Sequence, residues 1–114
     1  MTMATQPVVA QLVDKILSDA VFRSATEIWL EPRVDDIVVH LTIDKIATEV
    51  GRIPRHMEQN VFNRFVTMAG KDYWRPGPAR HGTLEAHFHG KPVRFALTFE
   101  PGLLREDLVL RRLP

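Results

Sequence analysis

The chain has 114 residues, 45% apolar and 25% charged, with a net charge of +1 and no cysteine. That is one globular domain by length. It excludes a disulfide framework, a thiolate nucleophile and a cysteine zinc site. The charge is too small for a nucleic-acid binder. No apolar run nears the roughly 20 residues of a membrane span, and "MTMATQPVV" lacks the basic-then-apolar order of a signal peptide.

The near-zero total conceals two unequal halves. Residues 1–50 hold 4 Lys/Arg and 8 Asp/Glu, whereas residues 51–114 hold 11 and 6. We expect these charges to mix in space once the chain folds, so the basic half is not read as a surface for anions.

The first element is a helix. Val9, Leu12, Val13, Ile16, Leu17, Ala20 and Val21 recur at helical spacing and make one apolar stripe. Pro7 suits its first turn, and the helix should end near residues 23–25. A strand over Thr26–Glu31 follows, stopped by Pro32. Ile28 and Leu30 share one face, so Trp29 points to the other. In the next strand Ile37, Val39, Leu41 and Ile43 alternate with Val38, His40 and Thr42. Asp44-Lys45 reads as a tight turn, although glycine is more usual at its second place. Residues 46–50 complete the hairpin, and Gly51 is expected to end it.

Pro54 opens a second helix, whose broad apolar face runs from Met57 through Val61, Phe62, Phe65, Val66 and Met68 to Ala69. Residues 71–82, with two prolines and two glycines, form the longest loop. Residues 83–89 and 92–99 make a second hairpin around Gly90, and Leu108–Leu110 lie in a closing strand. The order is α-β-β-β-α-β-β-β with short links. It predicts an α+β domain over residues 1–114, an antiparallel sheet or sandwich with two packed helices.

Chemistry is sparse. There is no P-loop and no dinucleotide fingerprint. The two serines, Ser18 and Ser24, sit in or beside the first helix and not in a nucleophile elbow. Glu85, His87 and His89, two apart, would share one strand face near His81. His87 and His89 are thus the candidate metal ligands, but the same pattern describes the polar side of an amphipathic strand, and no metal is assigned. The pairs Asp35-Asp36 and Glu106-Asp107 are read as turn markers, with nothing apolar nearby to raise their pKa values. Tyr73, Trp74, Arg75 and Arg80 share the long loop. We read Trp29 and Trp74 as contact anchors, because tryptophan and arginine concentrate binding energy at interfaces.

Several strings, in order, carry a resemblance over nearly the whole chain. They are "PVVAQLVDKILSDAV" (7–21), "ATEIWLEP" (25–32), "HLTIDK" (40–45), "RFVTMAGKDY" (64–73) and the closing "REDLVLRRL" (105–113). Together they resemble the N-terminal domain that precedes the ATPase core in the secretion ATPases of type II secretion and type IV pilus assembly. The resemblance implies a PAS-like fold, cytoplasmic placement and, through partners, a peripheral position at the inner membrane. It also implies docking on an ATPase domain or a component of the secretion or pilus apparatus, with homo-oligomerisation open. In the family, basic residues of this domain help to close a neighbouring subunit's nucleotide site.

The departures matter as much. The alternate positions that carry arginine in the family are Val38, His40 and Thr42 here. The family's histidine is Trp29, the glycine of its hairpin is Lys45, and an arginine of its later strand is Ala96. Arg75, Arg80 and Arg94 remain the nucleotide-contact candidates. The expectation is a non-catalytic assembly domain without cofactor, nucleic acid or direct membrane insertion, contacting partners through Trp29, Val38, His40, Thr42 and Trp74. The alternatives are a stand-alone adaptor and a PAS-like small-ligand sensor with a cavity lined by Phe65, Phe95 and Leu97.

Overall fold

The computed structural model describes the backbone of residues 2–70 and 81–114 and the side chains of residues 8–70 and 82–114. In chain order the elements are α1 (Thr2–Phe22), β1 (Glu27–Pro32), β2 (Asp36–Ile43), β3 (Ile46–Pro54), α2 (Glu58–Ala69), β4 (His81–Phe88), β5 (Lys91–Pro101) and β6 (Glu106–Arg112). A single 3-10 turn, Arg55–Met57, joins β3 to α2. The expected order of helices and strands is therefore present.

The strands form one six-stranded sheet in the order β3-β2-β1-β6-β5-β4. Every neighbouring pair is antiparallel. The sandwich alternative is thereby corrected. The closing strand β6 inserts between β1 and β5 and fuses the two hairpin units into one ladder, so among the described residues no second sheet is left to stack.

Both helices lie on one side of this sheet. From α1, Val9, Val13, Ile16, Leu17 and Ala20 are buried, and from α2, Val61, Phe65, Val66 and Ala69. They close on Ile28 and Leu30, on Ile37, Val39 and Leu41, on Leu108 and Leu110, and on Phe95 and Leu97. This is the alternation expected of a sheet with one covered face. The large apolar area removed from water here is the main source of stability.

Local signals explain most boundaries. α1 ends in a Schellman arrangement, with Ala25 N–H donating to Ala20 C=O and Ser24 N–H to Val21 C=O. Ser24 holds the left-handed position (φ 55°) that glycine usually takes. The β2–β3 turn places both Asp44 (φ 51°) and Lys45 (φ 68°) in the left-handed region, as the mirror-image type I′ turn requires. The β4–β5 turn does the same with His89 and Gly90. Gly51 does not end its strand: β3 runs on to Pro54, past a bulge where the register shifts at Val39/His40.

Candidate functional site

The sheet face away from the helices carries the candidate residues. Trp29 sits opposite His40 on β2 and Val109 on β6. Its neighbours are Glu31 on its own strand and, from the β5–β6 register, Asp107 opposite Glu100. The opening strand of the sheet thus points its tryptophan neither into the helix-covered core nor freely into water. Trp29 lies on the His40 ring, with centroids 4.1 Å apart and planes 19° from parallel. Its indole N–H donates to Asp107 Oδ2 at 2.9 Å. An aromatic ring with a polar handle is held at both ends.

A second series of contacts runs through Glu31. Its Oε1 accepts from Arg33 Nη2 at 2.9 Å and bonds His40 Nε2 at 3.0 Å. Glu31 and Asp107 are only 5% and 9% exposed. Burial pushes Glu31 up, but the hydrogen bonds of Arg33 and His40 outweigh it, and its carboxyl sits below the ordinary value. For Asp107 burial wins. The indole bond pulls its pKa down, while the charges of Glu31 and Glu100 add to the upward push, so the net shift is upward. Its other oxygen, Oδ1, is buried without a hydrogen-bond partner.

Arginines close the rest of the face. Arg111 pairs with Glu27 (3.0 Å) and Glu100 (2.9 Å). Arg52 pairs with Glu49 and Asp36, both at 3.1 Å. At one end of the sheet Arg105 Nη2 and Nε reach the two oxygens of Glu58 at 2.7 and 3.1 Å, and Nη2 also donates to Arg33 C=O. The Arg111–Glu27 and Arg52–Asp36 pairs join the acidic first half to the basic second half, because β6 lies beside β1 and the end of β3 lies beside the start of β2.

The sequence-predicted residues are therefore only partly united. Trp29 and His40 touch. Thr42, half-buried, offers its backbone carbonyl oxygen to the N–H of Thr26. Val38 is 1% exposed although it is on the helix-free face, so it presents almost nothing to a partner in this state. Arg94 is exposed on β5, opposite Glu85. Trp74, Arg75 and Arg80 lie outside the described residues, as does Tyr73.

Two readings are corrected. Asp107 is a nearly buried strand residue with a raised pKa and not a turn marker, because β6 carries it under the Trp29 indole. His89 is in the β4–β5 turn with φ 52°, so it does not share a strand face with His87. His87 stands 3.9 Å from Glu85. Among the described residues no group of three or more His, Asp or Glu is placed to hold a metal ion.

Phe65, Phe95 and Leu97 are fully buried in the packed core. A cleft of about 180 Å³ lies elsewhere, between α1 and β3. Its lining from β3 could have been suspected from Gly51, a residue without a side chain in the middle of a strand.

Comparison with known proteins decides the family. Residues 2–114 match the family described as "Type II/IV secretion system protein". The chain belongs to this secretion-protein family. Within it, the chain is 31% identical over 106 residues to the "Type IV pilus assembly ATPase PilB" of Myxococcus xanthus (strain DK1622). That alignment covers 92% of this chain and 19% of the relative. The secretion-family chain thus spans about a fifth of the ATPase it resembles. Among its described residues no helix is long and apolar enough to cross a membrane.

Proposed function

We propose that this chain is a non-catalytic assembly domain of a type II secretion or type IV pilus ATPase system. In this reading it has a PAS-like fold, works in the cytoplasm and reaches the membrane only through partners. It docks on an ATPase domain or another part of the apparatus and takes no cofactor.

The state of four of its described arginines carries the proposal. Arg33, Arg52, Arg105 and Arg111 are all closed on carboxylates of the chain itself. A site that stabilises phosphate charge needs guanidinium groups held toward an outside oxygen, and these are held toward inside ones. The match to one fifth of a pilus assembly ATPase supports a domain whose activity depends on the rest of such a protein. The candidates Arg75, Arg80 and Arg94 remain the groups able to reach a neighbour's nucleotide.

The test is binding of the purified chain to the isolated ATPase domain of the Myxococcus xanthus relative, measured by calorimetry. Saturable micromolar binding is expected. No heat at protein concentrations near 100 times that range would count against the docking role.

A further inference from the structure

The turn between β5 and β6, residues 102–105, is fastened at two places. On one side the Arg105 guanidinium closes on Glu58 of α2 and on Arg33 C=O. On the other side the turn leans on Asp107. The point where a Gly102 Cβ would stand is crowded by two oxygens, Asp107 Oδ1 and Arg105 C=O. Arg105 C=O accepts the Gly102 N–H at 3.0 Å and has a second lone pair to offer. Asp107 Oδ2 accepts from the Trp29 indole, whereas Oδ1 is buried with no hydrogen-bond partner among the described residues. Two acceptor oxygens brought to one point repel each other. A proton on the carboxyl turns the same contact into a hydrogen bond.

The groups around Asp107 favour that proton. Glu100 stands opposite it on β5, and the charge of Glu31 on β1 also reaches it. Arg111 is held by Glu27 and Glu100, Arg33 by Glu31 and Arg105 by Glu58, so none of these three neutralises it. His40, stacked on Trp29, bonds Glu31. Glu106, next in the chain, is exposed and projects to the other side of β6. Burial and the two neighbouring carboxylates thus hold the proton on Asp107 against the pull of the indole bond and of His40.

We propose that residues 102–105 and Asp107 form a proton-operated latch: protonated Asp107 donates from Oδ1 to Arg105 C=O, and loss of that proton to solvent releases the turn from β6. The Arg105–Glu58 pair stays closed as the hinge, since arginine keeps its charge. The turn carries Leu103 (84% exposed) and Leu104 (52%), so the proton on Asp107 sets where these two apolar side chains stand. The latch does not depend on whether the Trp29 face docks a partner.

The test is a titration of the intact chain, with carboxyl carbon NMR reading Asp107 and amide exchange reading the turn. The Asp107 midpoint is expected above the ordinary aspartate value of about 3.9. Through that same midpoint the protection of the Gly102 amide, corrected for the intrinsic pH dependence of exchange, should fall about fivefold, the worth of one hydrogen bond. Asp107→Asn puts an amide N–H where Oδ1 stands and should keep the protection at its low-pH level throughout. Glu100→Gln removes a repelling charge and should move the Asp107 midpoint down, a shift that a merely structural contact does not produce. That variant keeps the test valid if Asp107→Asn fails to fold. An Asp107 midpoint at or below the ordinary value, as a buried water donating to Oδ1 would give, overturns the proposal. So does a raised midpoint through which Gly102 protection stays constant, or one that Glu100→Gln leaves in place.

Discussion

The indole N–H of Trp29 donates to a carboxylate 78 residues away, Asp107 Oδ2, across 2.9 Å. This bond joins the first strand of the chain to its last. It lies on the sheet face that no described helix covers, so its loss is not masked by the main core.

Replacing Asp107 separates its two roles. Asp107→Ala removes the acceptor of the indole and should cost about 1.5–3 kcal/mol, the range for a charge-assisted bond whose partner is left unpaired. Asp107→Asn keeps an acceptor for Trp29 and removes the buried charge. It should lie within about 1 kcal/mol of the parent at pH 7. Urea unfolding followed by Trp fluorescence measures both. Equal losses for Ala and Asn would refute this role for the bond.

The two buried carboxyls make opposite contributions to the pH dependence of stability. Asp107 binds its proton more tightly folded than unfolded. Its stabilising contribution is full below the unfolded value, about 3.9, and is lost as pH rises through the higher folded value. Glu31 is shifted down. Its contribution is present above the unfolded value, about 4.3, and is lost as pH falls through the lower folded value. In unfolding midpoints measured across this range, Asp107→Asn should therefore lessen the fall in stability above about pH 4. Glu31→Gln should lessen the fall below it. Slopes unchanged by either substitution would contradict the assignment.

Gly102 is required by contact and not by a left-handed backbone. A Cβ there would collide with the Asp107 carboxylate and with Arg105 C=O, which already accepts the Gly102 N–H at 3.0 Å. Gly102→Ala should destabilise the fold by about 1–3 kcal/mol through overpacking. Because Gly102 and Asp107 touch, the double variant Gly102→Ala/Asp107→Ala should lose less than the two single losses together, by about 0.5 kcal/mol or more, on the order seen for contacting residues. Simple additivity, measured by the same urea unfolding, would show that the clash is relieved elsewhere.

Two of the four non-glycine residues with positive φ bear directly on stability at element ends. Ser24 ends α1 and Lys45 closes the β2–β3 turn, both with positive φ. Lys45→Gly and Ser24→Gly should each stabilise by about 0.5–1 kcal/mol, net of the added freedom of the unfolded chain. Differential scanning calorimetry would register this as a higher melting temperature. A fall in both would mean that the side chains of Lys45 and Ser24 contribute more than their backbone strain costs.

The helices and the sheet core are legible in the sequence because their signals are local. The stripe from Val9 to Val21 and the alternation from Ile37 to Ile43 each state which side is buried. The environment of Asp107 is not legible, since it is set by β6 pairing beside β1, a contact between the two ends of the chain. Val38 departs from expectation for a related reason: alternation puts it on the helix-free face but does not reveal that this face seals itself. The α1–β3 cleft is a matter of how far one helix covers a sheet, which no local pattern encodes. Fixed cations are indeed missing from Val38, His40 and Thr42, but Arg33, Arg52 and Arg111 bring charge to the same face from adjoining positions.

A calorimetric titration of the purified chain with magnesium-ATP up to millimolar concentration, with phosphate release followed in parallel, bears most directly on the reading of this chain as a docking domain. Internally neutralised arginines predict neither saturable heat nor hydrolysis. Saturable binding in the micromolar range, or turnover above the buffer rate, would contradict it.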